Sequence, residues 1–235
     1  MAAGVCASSV DATDVMESEK IEPRWSGGSV IIAGSGPSLT KEIADLCRNQ
    51  RVIAVNDAYR LIPWAEILYA CDARWWRVHE GCPKFAGEKW TSYHEGRRAH
   101  VADVAKRYKL HVCLGEKKDS FSLSPDRISY GRNSGFKAMN LAMLWGAAQI
   151  ILVGFDFRLG KDNRLKPKRH FFGDHPRGLA STSNYPEWVK AMHNAAKQLP
   201  AHISVINCTP GSAIKCFPMG NLKEILDGTK INHAA

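Results

Sequence analysis

Six short runs of apolar, largely β-branched residues recur along the chain: SVIIAG (29–34), RVIAVN (51–56), EILYAC (66–71), LHVCLG (110–115), QIILVGFDF (149–157) and ISVINC (203–208). Continuous apolar runs are what strands buried on both faces look like, and strands that alternate with helices build parallel sheets, because each crossover needs a helix. Helical spacing is visible in Leu39, Ile43, Leu46 and Cys47, in Phe136, Met139, Met143 and Leu144, and in Trp188, Met192, Ala195 and Leu199. Such stripes predict core-facing helix faces. The expectation is an α/β fold: a single Rossmann-like domain whose mostly parallel sheet carries helices on both faces. With 235 residues and 45% hydrophobic content, one substantial core accounts for the whole chain.

Residues 1–28 are polar, small and acidic without either periodicity, which predicts a loosely ordered N-terminal arm ahead of a nucleotide-binding domain at 29–235. The start of the chain has no basic leader and no apolar segment, and no run approaches the ~20 apolar residues that span a bilayer. Seven cysteines are scattered without a CxxC pair. Reduced thiols in a cytoplasmic protein with no membrane partner are expected. The formal charge of +9 favours an anionic partner such as a nucleotide, a phosphorylated sugar or a nucleic-acid backbone. Much of that charge lies in RLGKDNRLKPKRHFFGDHPRGL (158–179), where Arg158, Lys161, Arg164, Lys166, Lys168, Arg169 and Arg177 cluster between Gly and Pro residues. A loop of this length inside a compact domain predicts a mobile basic lid.

Two small-residue turns end or precede apolar elements. Gly34-Ser35-Gly36-Pro37-Ser38 closes the first strand, where the glycines allow positive φ and close approach, and Pro37 suits a first helical position. Free N–H groups at such a helix start bind phosphate. The turn lacks the third glycine of the dinucleotide fingerprint and the Gly-Lys-Ser/Thr of a P-loop. Asn133-Ser134-Gly135 opens a second helix, with Asn133 or Ser134 as its N-cap.

The combination of IIAGSGPSL, NSGFKAMNLAMLWGAAQIILVGFDF, HFFGDH and ISVINCTPGSA resembles the bacterial sialyltransferase family typified by the Campylobacter lipooligosaccharide enzymes, over most of residues 29–215. A similar turn occurs in archaeal 6-hydroxymethylpterin diphosphokinase-like proteins and in phage proteins. The resemblance implies that Gly34, Ser35 and Gly36 line a donor nucleotide, that Asn56 contacts its phosphate or ribose, and that Ser134 and Gly135 hold the base or ribose end. Asp72 stands where that family has an asparagine. Arg158 stands where it has a tyrosine that stabilises the leaving phosphate, and an arginine serves that role by charge-assisted hydrogen bonds. His175 matches the family base, with Asp174 inserted before it as either its orienting partner or a turn residue, and His170 is the rival base.

The implied activity is a glycosyltransferase that moves a sugar from a nucleotide-activated donor, held on the Gly34–Ser38 turn, to the hydroxyl of an acceptor such as a glycan or DNA. No cofactor is required for it. An alternative is pyrophosphoryl transfer from ATP to a small alcohol through Mg²⁺ held by Asp72 and Asp156. A non-enzymatic alternative is a nucleotide or nucleic-acid binding module in which Trp75 and Trp76, flanked by Arg74 and Arg77, stack on bases, against the plainer role of those tryptophans as core.

Overall fold

In the computed structural model, which describes residues 17–94, 96–161, 166–176, 179 and 184–228, each of the six apolar runs contains a strand. These are β1 (Ser29–Ala33), β2 (Val52–Val55), β3 (Ile67–Tyr69), β5 (His111–Glu116), β7 (Gln149–Val153) and β10 (Ser204–Asn207). Two further strands, β4 (Glu88–His94) and β6 (Arg127–Ser129), complete an eight-stranded sheet of order β10-β7-β1-β2-β3-β4-β5-β6. Every pairing in it is parallel. A small antiparallel hairpin, β8 (Gly160–Lys161) with β9 (Pro167–Lys168), stands apart.

The helices are α1 (Lys41–Leu46), α2 (Ala73–Val78), α3 (Arg98–Tyr108), α4 (Ser134–Leu144), α5 (Tyr185–Ala196) and α6 (Leu222–Leu226). Successive strand residues point to opposite faces, so Ile32 and Ile150 join one core and Ile31 and Ile151 the other. α4 and α5 supply Phe136, Met139, Ala191 and Met192 to the first core. α1, α2, α3 and α6 supply Ala44, Trp75, Trp76, Val104 and Leu222 to the second. The fold is therefore the mostly parallel, doubly covered Rossmann-like sheet expected.

The chain builds outward from β1 through β6, then returns to place β7 on the other side of β1. The loops after β1 and β7 consequently leave in opposite directions and open a crevice at the carboxyl ends of the strands, where ligands of open α/β sheets bind.

Several details differ from the sequence reading. Residues 17–28, part of the expected loose arm, pack on the sheet: Ile21 and Trp25 are buried, Ile21 N–H donates to the Pro125 carbonyl, and Trp25 N–H donates to that of Trp145. Two large apolar side chains in a polar stretch suffice to dock it; residues 1–16 lie outside the described residues. α1 starts at Lys41, capped by the Thr40 hydroxyl, while Pro37 sits in a turn closed by Leu39 N–H and the Gly36 carbonyl. Trp75 and Trp76 are buried, and the Trp76 indole N–H donates to the Ala70 carbonyl, so they are core rather than a stacking surface for bases. The described cysteines are unpaired, and burial pushes the thiols of Cys82, Cys208 and Cys216 up to about 11. No helix among the described residues is long and apolar enough to cross a membrane.

Candidate active site

A cleft of ≈ 290 Å³ lies where the loops after β1 and β7 part. Gly34, Ser35 and Gly36 border it, together with Asn56, Asp72, Asn133, Ser134, Gly135, Arg158, His170 and His175. Ser38 does not border it. Three of its non-glycine residues, Asn56, Arg132 and Phe157, hold positive φ (51°, 63° and 48°). For an arginine and a phenylalanine that conformation is strained, and strain of this kind gathers at functional sites.

The Gly-Ser-Gly-Pro-Ser turn is occupied by the protein itself. The Asp156 carboxylate, buried at the end of β7, accepts from the Ser38 amide (3.2 and 3.3 Å) and from the Ser38 hydroxyl (2.7 Å). Desolvation of Asp156 outweighs these hydrogen bonds and raises its pKa. Neither Gly34 nor Gly36 has positive φ. A Cβ on Gly36 would collide with the Asp156 carboxylate and stand 2.6 Å from the Gly154 carbonyl oxygen; one on Gly34 would meet that carbonyl at the same distance. The glycines are required because the backbone after β1 and the backbone after β7 approach closely. The Ser35 hydroxyl is likewise committed, donating to the Val55 carbonyl (2.9 Å).

The start of α4 is different. Asn133 caps the helix by accepting from Phe136 N–H (2.9 Å), as its sequence position predicts. The Ser134 hydroxyl accepts from Cys71 N–H (3.2 Å), tying the helix start to the end of β3. Gly135 admits the Phe155 ring, which a Cβ would meet at 2.8 Å. The first-turn amides of Ser134 and Gly135 have no carbonyl one turn back to bond, and both residues border the cleft. The eleven-residue helix α4 thus presents the anion-attracting end that the first turn was expected to supply.

Cations and imidazoles line the remaining wall. Arg158 is anchored by its Nε–H to the Gly211 carbonyl, and Arg132 stands 3.5 Å from Asp119 and 3.7 Å from Glu187. Arg169 pairs with Asp174 at 3.5 Å, so Asp174 is an exposed rim residue and not the partner of His175. The Nδ1 of His175 instead lies 3.8 Å from the carboxylate of Asp57, a buried residue that sequence reading passed over. The His170 and His175 rings are 4.5 Å apart, and burial, with help from His175, pushes His170 down to about 4. Opposite them, Tyr185 and Trp188 of α5 pack edge to face, and Trp188 meets Phe157 in the same way.

The described part of the basic loop touches the body of the domain. Phe171 N–H donates to the Ser35 carbonyl, the Phe171 ring packs on the second core, and Leu179 is buried. Arg164 and Arg177 lie outside the described residues.

The two carboxylates of the Mg²⁺ alternative both border the cleft, but each is engaged: Asp156 by Ser38, and Asp72 as the N-cap of α2, accepting from Arg74 N–H (2.8 Å). Among the described residues no group of three or more His, Cys, Asp or Glu side chains is arranged to hold a metal ion.

The sheet and the position of the cleft invite comparison with known structures. The fold resembles that of a glycosyltransferase. The solved structure of the MAf glycosyltransferase from Magnetospirillum magneticum AMB-1 superposes with a TM-score of 0.57 at 15% identity, over 88% of this chain. The chain spans 36% of the length of that neighbour. No family model matches the chain, and no curated protein matches it in sequence. The likeness is one of fold.

Proposed function

We propose that the cleft binds a nucleotide-activated sugar and that the protein transfers the sugar to an acceptor hydroxyl. The observation carrying this reading is the meeting of three features at the point where the loops after β1 and β7 part: the start of α4, the guanidinium groups of Arg158 and Arg169, and two imidazoles. The likeness in fold to a glycosyltransferase supports it.

In this reading the donor phosphate sits at the amino end of α4 rather than on the Gly34–Ser38 turn, because Asp156 fills the donors of Ser38. His175 accepts the proton of the acceptor hydroxyl as the oxygen bonds to the anomeric carbon. The bond from that carbon to the phosphate oxygen breaks, and the electron pair leaves with the nucleotide. Arg158 and the α4 amides offset the charge that develops there. His170, pushed down to about 4, is neutral at physiological pH and adds no positive charge beside the base.

Thermal denaturation with a panel of nucleotides and nucleotide sugars, each with and without Mg²⁺, tests the reading. A ligand at a hundred times its Kd adds about 2.7 kcal/mol, which for a chain of this size is a rise of roughly 5–10 °C in Tm. A nucleotide sugar should give that rise without Mg²⁺, and incubation with a hydroxylic acceptor should then release free nucleotide. A rise confined to ATP with Mg²⁺ would move the assignment to pyrophosphoryl transfer.

A further inference from the structure

Asp57 follows β2 directly, in the short 3-10 helix Asn56–Arg60, where the positive φ of Asn56 redirects the chain. Its side chain is 1% exposed. A carboxylate that deep needs donors around most of its lone pairs. One is the indole N–H of Trp75, which donates to Oδ2 at 2.9 Å. Arg60 is farther, 3.6 Å from Oδ1. Two imidazole nitrogens also face it: His79 Nε2 at 3.6 Å from Oδ1 and His175 Nδ1 at 3.8 Å from Oδ2. Both nitrogens are buried, and neither has a hydrogen-bond partner among the described residues. Two orphaned ring nitrogens thus flank one under-supplied carboxylate.

The protonation pattern follows from the partners. The Tyr59 hydroxyl lies 3.3 Å from His79 Nδ1, and burial raises its pKa, so it keeps a proton that it can offer to that nitrogen. When it does so, His79, whose pKa burial lowers, carries its one ring proton on Nε2, facing Asp57. On the other side, His175 borders the cleft with its side chain 17% exposed, while its Nδ1 is buried.

We propose that Asp57 is a positioning residue for His175: its carboxylate takes the Nδ1–H and so presents Nε2 to the cleft as the proton acceptor, while His79 steadies the other carboxylate oxygen. The inference rests on the reading of His175 as the base. Closing 3.8 Å to an ordinary hydrogen bond takes a movement of about 1 Å, and hydrogen bonds of this kind are often long before substrate binds. The other charged groups around the pair are Arg60, His170 and Asp174, and Asp174 turns outward to Arg169.

Long-range ¹H–¹⁵N NMR on the full ¹⁵N-labelled chain reads the tautomer directly, with His79→Gln and His175→Gln used to assign the rings. Neutral His175 should carry its proton on Nδ1 in the wild type. In Asp57→Asn the amide can donate where the carboxylate only accepted, so the proton should move to Nε2, the wrong tautomer for a base. Turnover in Asp57→Asn should fall about as far as in His175→Ala, with KM unchanged. A wild-type His175 already protonated on Nε2, or one whose tautomer ignores Asp57→Asn, overturns the proposal, and the wild-type spectrum alone decides if the variant fails to fold. An Nδ1–H tautomer combined with full turnover in His175→Ala would overturn the base reading instead, leaving the hold of Asp57 on the ring intact.

Discussion

The turn after β1 and the start of α4 carry the same sequence signature, glycine and serine between apolar elements, yet they do opposite work. In the first, every small residue is consumed internally: Gly34 and Gly36 admit the backbone of Gly154, and Ser38 binds the Asp156 carboxylate. In the second, Asn133 and Ser134 satisfy neighbouring groups while the leading amides of an eleven-residue helix remain at the cleft. A glycine-rich turn at a strand end therefore records close approach, and here protein makes the approach. The Asp156 carboxylate occupies the first turn in the manner of a bound anion.

The largest effect should come from substituting the two glycines in parallel. Gly36→Ala drives a Cβ into the Asp156 carboxylate, which must give up its bonds to Ser38 to move away, and to 2.6 Å from the Gly154 carbonyl oxygen, which cannot retreat without moving the backbone that follows β7. It should cost about 3 kcal/mol or more, a fall of roughly 6–12 °C in Tm. Gly135→Ala meets the edge of the Phe155 ring, which can shift, so the protein should stay folded and lose stabilisation by nucleotide. Chemical denaturation and ligand-dependent Tm on both variants measure this. A stable Gly36→Ala protein that has lost binding would reverse the two roles.

The next effect separates binding from chemistry across the cleft. His175→Ala should lower turnover by roughly 10²- to 10⁴-fold and leave donor-induced stabilisation nearly unchanged, since the donor is held from the α4 side. His170→Ala should do less, because that ring is stacked on Phe172 at 5.0 Å and desolvated. Steady-state turnover paired with thermal shifts on each variant checks this, and the opposite ranking would transfer the role to His170.

These two experiments also mark where sequence and structure part. Strand ends were legible because apolar runs and turn residues are local signals; Asn56, Asp72, Arg158 and His175, far apart in the chain, were named by the resemblance to the sialyltransferase family, and all four border the cleft. β4 was not legible, because EKWTSYH mixes charge and hydroxyls. Its Ser92 is nonetheless buried, satisfied by Tyr69 and by the equally buried Lys137. α3 hid for a related reason: Val101, Val104 and Ala105 are its buried residues in an otherwise charged segment. The partner of Ser38 lies 118 residues away and that of His175 also 118 (175 − 57), so neither the filled turn nor the Asp57 contact leaves a local trace.

A smaller effect should distinguish the open helix start from a metal site. Asp72→Asn keeps a side-chain oxygen for the N-cap of α2, so the fold should be unchanged. It removes one negative charge from the cleft wall, and donor affinity should hold or rise by a few-fold, on the order of 0.5–1 kcal/mol. Titration calorimetry with and without Mg²⁺ reads both quantities. Activity lost together with Mg²⁺ binding would restore the diphosphokinase-like alternative.

A further effect concerns how dry the protein-filled side of the cleft is. His170 sits beside the first turn, where its neighbour Phe171 bonds the Ser35 carbonyl, and burial pushes it from 6.5 to about 4. Between those values the unfolded chain binds a proton at this histidine that the folded one refuses. Its contribution is therefore complete at pH 7 and is lost as the pH falls from about 6.5 towards 4. His79 and His94, also lowered by burial, act with the same sign, whereas Asp156, raised by burial, opposes them as the pH rises above its ordinary value near 3.8. Tm should accordingly drop between pH 7 and pH 5, and drop less in His170→Gln, which cannot take up the proton. Equal slopes in the two proteins would mean that water reaches the His170 ring, and that the first turn is open to solvent rather than closed on itself.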